Sequence, residues 1–317
     1  MSRHDEIIRP RPLGPLLPIV AIMRLGASLG VGEWVLRRLL LKPVASPRPR
    51  VFRNYVPSER DVFVTTFLKS GTNWAMQMCV EIAHRGAAEF EHIHELVPWP
   101  EAPLPALPRL DEAGPWCEAP TGLRVIKTHL ARRDVPISPA ARYVTLIRDP
   151  KEVVVSAHHF MLGMVGIREH VSVSRWVELF FEPGLLGTAW AEHTAGFWAV
   201  RERPNVLVRT FNQAKANLPG MVTELATHLG VELSEDEHAR VVERSSFAWM
   251  RANEAKFQPP TFPLVNHAAK PKMVRRGAVG GSHELLDADQ RARIDDFARE
   301  QLRRIGSEFP YDELFGS

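Results

Sequence analysis

An α/β fold is the class this sequence predicts, and three observations carry it. Short β-branched, apolar runs recur at Asp61 to Phe67, Leu123 to Ile126, Arg142 to Ile147 and Asn205 to Thr210, as buried strands do. A breaker-free segment with helical spacing follows the first, and further helical stretches follow the third and fourth. Lysine, histidine and arginine residues stand at the strand ends, where open α/β sheets place their chemistry. The 317 residues are 45% hydrophobic, enough for a large core in one large or two modest domains. A charged fraction of 24% argues against wholesale disorder. The net charge is +3 with a pI near 9.0, which suits an anionic ligand or a membrane surface. It is too weak for nucleic acid, and no Lys/Arg stripe is interleaved with aromatics.

The first strand leads into Leu68-Lys69-Ser70-Gly71-Thr72-Asn73, then into Trp74 to Ala83, where Trp74, Met78 and Ile82 mark one helix face. A strand that turns directly into a helix leaves the first helical N–H groups aimed at one point. Those donors and the helix dipole favour an anion, and Gly71 lets the backbone approach it. Lys69, Ser70 and Thr72 add a charge and two hydroxyls, so the stretch predicts a site for a phosphate-like group. It is not a Walker loop, because the first glycine is missing and Lys69 precedes Gly71. An ordinary nucleoside-triphosphate kinase is therefore disfavoured.

The flanking segments are less regular. Residues 1 to 50 read as an N-terminal helical extension bounded by Arg9-Pro10-Arg11-Pro12 and Pro47-Arg48-Pro49-Arg50. Its segment Ile19 to Leu41 suits a helix packed on the domain better than a membrane-surface helix, because glycines interrupt a poorly separated apolar face. Leu13 to Met23 is apolar, but Gly14, Pro15 and Pro18 break it and no signal peptide is expected. No uncharged run reaches the ~18 residues of a membrane span. The two cysteines, Cys79 and Cys117, propose no disulfide framework or zinc site, and a reducing, cytoplasmic compartment is expected. Seven prolines between Pro98 and Pro120 rule out a long regular element in residues 84 to 120, which form a candidate wall of a substrate pocket. His92 and His94 lack a third placed ligand, so no metal is assigned to them.

Further along, Lys127, Thr128 and His129 close the second strand. Arg148 closes the third, Asp149 is placed to cap the next helix, and Pro150 suits its first position. Ser156 then lies about two turns into that helix. Leu218 to Gly230, Glu235 to Glu243 and residues 285 to 306 read as helices. Residues 161 to 200 read as mostly helical, with a break at Pro183-Gly184.

Taken in order, these segments resemble the cytosolic-type sulfotransferases, which use 3′-phosphoadenosine-5′-phosphosulfate (PAPS). That family carries Thr-x-Pro-Lys-Ser-Gly-Thr-Thr-Trp at the first loop. Thr66, Lys69, Ser70, Gly71, Thr72 and Trp74 match it, with Leu68 for proline and Asn73 for the second threonine. Lys127, Thr128, His129 and Leu130 match Lys-Ser/Thr-His-Leu-Pro, whose histidine is the family's catalytic base. Arg148 and Ser156 match a 3′-phosphate-binding segment, and Ser245 and Phe247 a purine-binding one, in which Phe247 and Trp74 would sandwich the base. Arg275, Arg276, Gly277 and Gly280 match the family's Arg-Lys-Gly-x-x-Gly-Asp-Trp, but Gly281 and Ser282 replace Asp-Trp. The Tyr-Glu-Asp that closes the family's fourth strand is not found after Arg209-Thr210.

The resemblance implies a central, mostly parallel sheet flanked by helices, a three-layer sandwich like that of P-loop nucleotide kinases, over residues 51 to 317. It implies PAPS as donor, no metal, and a sulfuryl transfer to a hydroxyl or amine. His129, Lys69 and Lys127 would act in catalysis. Lys69, Ser70, Gly71, Thr72, Asn73, Trp74, Arg148, Ser156, Ser245, Phe247, Arg275, Arg276 and Gly277 would hold the donor. The acceptor pocket would come from residues 84 to 120, 157 to 200 and 257 to 267, whose apolar and aromatic content leans towards a phenol, a sterol-like alcohol or a lipid. Two rivals stay open: an ATP-dependent kinase of related fold, and a non-catalytic nucleotide- or membrane-binding protein. The acceptor's identity and the oligomeric state are not set by the sequence.

Overall fold

The computed structural model describes residues 25–26, 51–102, 107–163, 167–259, 273–274, 277 and 280–316. The expected extension therefore lies outside the described residues, Leu25 and Gly26 apart, as do Arg275 and Arg276. The strands are β1 (Asp61–Val64), β2 (Arg124–Lys127), β3 (Arg142–Ile147) and β4 (Val206–Thr210). The helices before β4 are α1 (Thr72–Ala83), α2 (Pro150–Ala157), α3 (Val173–Phe181) and α4 (Leu186–Trp198). After it come α5 (Phe211–Ala216), α6 (Leu218–Leu229), α7 (Glu235–Arg244), α8 (Phe247–Ala252), α9 (Ala288–Ile305) and α10 (Tyr311–Phe315).

The strands make one parallel sheet in the order β2-β1-β3-β4. Parallel strands covered on both faces need apolar residues in both directions, which is why their sequences are near-continuous apolar runs. Alternate side chains feed two cores. Phe63, Ile126, Tyr143 and Ile147 meet α2, α3, α4 and α9 on one face. Val62, Val64, Val125, Val144 and Leu146 meet α1, α6 and α7 on the other. The result is the expected three-layer sandwich. The chain leaves β1 with β2 on one side and β3 on the other, so the β1 exit is the switch point of the sheet, where such folds bind ligands.

Local signals set the helix ends. Asp149 accepts the Lys151 N–H at 2.8 Å and Pro150 opens α2. Gly230, at φ +71°, ends α6. The helix α1 has no solvent face over most of its length. Gln77 and Glu81 are fully buried, because Glu81 Oε1 accepts from Gln77 Nε2 and from Arg244 Nε of α7, both at 2.8 Å. Polar residues that satisfy one another under a covering helix look like a wet face in sequence. The continuation of α2 also departs from a regular helix, since His158–Leu162 forms a π-helical turn.

Two buried ionic clusters brace this frame. At the start of the sheet, Asp61 Oδ1 accepts from Arg124 Nε and Nη2 at 3.0 and 2.8 Å. Its Oδ2 accepts from Tyr55 Oη at 2.6 Å and Ser58 N at 2.8 Å. Arg124 also donates to Leu110 O at 2.8 Å and lies 4.7 Å from the Trp116 ring, so the proline-rich segment is fastened to β2. At the other end, buried Lys151 of α2 pairs with Asp295 of α9 and donates to Phe315 O of α10 at 2.8 Å. Tyr311 Oη donates to the same Asp295 at 2.6 Å.

Removing one partner of such a pair strands the other charge. Asp61→Ala is expected to lower unfolding free energy by about 3–5 kcal/mol, read from urea denaturation. A loss under about 1 kcal/mol would show the pair to be no more than a surface-type contact.

Candidate active site

Three side chains are fastened to the backbone of the loop that leaves β1, two of them at its carbonyls. His129 Nδ1 lies 2.8 Å from Thr66 O, Arg148 Nη1 donates to Lys69 O at 2.9 Å, and His193 bonds the Thr65 backbone. The loop is fixed from within by the Thr66 and Thr72 hydroxyls, 2.6 Å apart, and by Ser70 N donating to Phe67 O at 3.2 Å. Lys69 and Gly71 take left-handed backbone, at φ +62° and +94°. A Cβ at position 71 would also stand 2.8 Å from the Phe211 ring, so the turn admits glycine and little else. No side chain caps α1, which leaves its first-turn N–H groups for an anion. Ser70 Oγ is buried without a partner among the described residues, as a hydroxyl awaiting a ligand oxygen would be.

Beside the loop, Arg148 bonds Glu152 of α2 at 3.2 Å and stacks on Phe211 at 4.8 Å. Half-buried Ser156 follows one turn beyond Glu152. Glu152 also accepts the Ser282 N–H at 2.9 Å. Main chain thus ties the Gly281-Ser282 departure to α2 although Asp-Trp is missing. Lys215 of α5, unforeseen in the sequence, lies close enough for the Arg148 charge to push its pKa down, second to burial.

Aromatic and hydroxyl side chains gather at the start of α1 and α8. Trp74 Nε1 donates to Ser245 O at 2.9 Å, and Asn73 Nδ2 to Phe257 O at 3.1 Å. Ser245 Oγ is buried and unpartnered among the described residues. Phe247 keeps 38% of its surface exposed, a large value for a phenylalanine in a folded domain. Gly277 packs so tightly on it that a Cβ would come within 2.2 Å of the ring. The structure therefore joins Trp74 to Ser245 and Phe247 to Gly277. Phe211 stands where the family tyrosine was sought and touches Trp74 at 5.3 Å, Gly71 and Arg148. It could have been found by asking for any ring after the fourth strand, not for Tyr-Glu-Asp.

On the opposite side of the loop are Lys127 and His129. A carbonyl only accepts, so the bond to Thr66 O places the imidazole proton on Nδ1 and leaves Nε2 basic. Burial, then the Lys127 charge, push the His129 pKa down to about 3; the Thr66 carbonyl opposes them, and His193 and Lys69 add smaller decreases. Burial pushes Lys127 down to about 7, with Glu101 opposing. Lys127 Nζ sits 3.5 Å from the Trp99 ring centroid, and Trp99 meets His129 edge-on at 5.5 Å. Lys69 Nζ lies 3.8 Å over Phe160. Trp99 and Glu101 come from the proline-rich segment and carry no chemical signature in sequence. His92 and His94 turn to the backbone, at Gln258 O (2.9 Å) and Val97 O (2.8 Å).

An uncapped helix start at the switch point, aromatic and hydroxyl side chains beside it, and a histidine pushed towards neutrality near two lysines are features of nucleotide-dependent group transferases. A family model for the sulfotransferase domain matches residues 59–306, and the chain belongs to that family. Sulfotransferase 2A1 of Macaca fascicularis is 25% identical over 271 residues, covering 83% of this chain and 92% of the relative. Among solved structures, retinol dehydratase in complex with androsterone and the inactive cofactor PAP aligns with a TM-score of 0.69 at 20% identity, over 96% of this chain and 98% of that one. Mouse sulfotransferase SULT7A1 complexed with PAP aligns at 0.61 and 19% identity, over 82% and 91%.

The tautomer assignment is testable. In ¹⁵N spectra of the free protein, His129 is expected to keep the neutral, Nδ1-protonated pattern down to pH 5, far below the usual histidine range. An imidazolium signal at pH 5.5 would refute it.

Proposed function

We propose that this protein transfers the sulfuryl group of PAPS to a hydroxyl, or less often an amine, of a small apolar or aromatic acceptor, without a metal. The observation that carries this reading is the convergence of His129, held as a neutral base, with Lys69 and Lys127 at one loop. The acceptor oxygen attacks sulfur. The bond from sulfur to the 5′-phosphate oxygen breaks, and that oxygen keeps the electron pair. His129 Nε2 takes the acceptor's proton. Lys69, Lys127 and the N–H groups after Gly71 meet the charge that grows on the leaving phosphate and the sulfuryl oxygens.

The remaining residues fit the donor's other parts. Arg148 offers a fork to the 3′-phosphate, with Ser156, Arg275 and Arg276 assigned to the same group by the family pattern. Trp74, Ser245, Phe247 and Gly277 suit the adenine, and Ser70, Thr72 and Asn73 the 5′ side. The PAP bound in the two related structures supports this donor. The androsterone of one of them, with the Trp99 ring against His129 and the Phe160 ring under Lys69, supports an apolar acceptor. We assign this activity to residues 51–317, in the cytoplasm, with residues 1–50 as an extension. No helix among the described residues is long and apolar enough to cross a membrane.

Calorimetry with adenosine 3′,5′-bisphosphate, run without magnesium against ATP and ADP, is the deciding experiment. Selective binding of the bisphosphate is expected; preference for ATP once magnesium is added would return the kinase reading. Arg148→Ala is expected to weaken bisphosphate binding about 10- to 100-fold, and unchanged affinity would remove Arg148 from the site. His129→Ala is expected to lose at least about 100-fold in turnover with donor affinity kept. A near-normal rate would show that the base lies elsewhere.

A further inference from the structure

Strand β2 is an edge strand, and its outer edge is not left open. Thr128 N donates inward to Val64 O at 3.0 Å. The N–H groups on either side of it point outward: Lys127 N donates to Pro98 O at 2.9 Å, and His129 N to Glu101 Oε1 at 2.6 Å. Residues 98 to 101 thus lie along the β2 edge and meet these two N–H groups with acceptors, while Pro98 and Pro100 have no N–H of their own. The same four residues set the Trp99 ring beneath Lys127 Nζ. Glu101 Oε2 is fully buried, with the Trp99 and Thr128 side chains beside the carboxyl.

We propose that Glu101 is a positioning residue for the transfer site, which fixes the His129 main chain and holds Lys127 as a cation beside it. The inference rests on the sulfuryl-transfer reading for its use, though not for its test. A buried ammonium tends to lose its proton, and only an opposite charge or a ring face restores it. Trp99 gives the ring face and Glu101 the charge; burial pushes the Glu101 carboxyl up, and the His129 N–H with the neighbouring donors opposes that and favours the carboxylate. The other titratable groups around Lys127 do not help it: His129 and His94 are neutral rings that feel its charge, and Lys69 and His193 act on His129. Without Glu101, Lys127 would turn neutral at a lower pH and stop answering the charge on the leaving group.

The test is the titration of Lys127 in the full chain without substrate, followed by ¹³C NMR of ε-labelled lysine, with Lys127→Arg to assign the signal. The wild-type midpoint is expected near 7. Glu101→Gln keeps an oxygen for the His129 N–H and removes the charge; it is expected to lower the midpoint by about one pH unit. In parallel, the alkaline limb of the kcat profile is expected to move down by the same amount, with bisphosphate affinity unchanged. Glu101→Asp keeps the charge and serves as the second variant, expected to retain the wild-type limb. Equal Lys127 midpoints in wild type and Glu101→Gln, or an aspartate variant shifted as far as the glutamine one, overturn the proposal. A wild-type chain that titrates as expected but does not bind the bisphosphate would overturn the transfer reading and leave this one standing.

Discussion

The structure depends on a division of labour within one loop. Between β1 and α1, the backbone N–H groups at the helix start have no side-chain cap, while the preceding backbone holds side chains from elsewhere in the fold. Thr66 O takes His129, Lys69 O takes Arg148, and the Thr65 backbone takes His193. Residues from β2, the end of β3 and α4 are thereby registered against a single stretch of main chain. The left-handed turns at Lys69 and Gly71 make this possible, because they reverse the direction of the peptide groups within three residues. Strand pairing on both sides, through Thr65 N to Val144 O and Thr128 N to Val64 O, keeps the stretch from relaxing.

Burial then sets the charge states. His129 and Lys127 are both pushed towards neutrality, but for the two residues this has opposite meanings. A neutral imidazole with its proton fixed on Nδ1 is the form that accepts a proton. A neutral lysine is the form that fails to meet an anion. The same low dielectric thus acts on both residues, and the Glu101 carboxyl, which accepts the His129 N–H, opposes the loss of charge on Lys127.

Much of this was legible in the sequence because it is local. The strand runs, the Asp149-Pro150 start of α2, the Gly230 stop of α6 and the strand-end positions of Lys127, His129 and Arg148 depend on neighbours a few residues away. What was not legible depends on partners far along the chain. The burial of Gln77 and Glu81 depends on Arg244, 163 residues after Glu81. Trp99 and Glu101 read as loop residues until the β2 edge captures them. Phe211 was passed over because the pattern asked for a hydroxyl, whereas its contacts use the ring. The short 3₁₀ turn at Gly281–Glu284 takes its anchor from Glu152 by a main-chain bond, which no side-chain motif reports.

The cluster around Lys151 bears on how the chain is made. α2 carries Glu152 and Ser156, and the Lys151 ammonium on that helix is buried against Asp295, 144 residues later in sequence, and Phe315 O, 164 residues later. During synthesis, α2 leaves the ribosome long before either partner exists. Until α9 and α10 emerge, a lysine that belongs in the interior has only Asp149 to offset its charge. The seating of α2, and with it the place of Glu152 and Ser156 beside the loop, thus depends on contacts that only α9 and α10 complete.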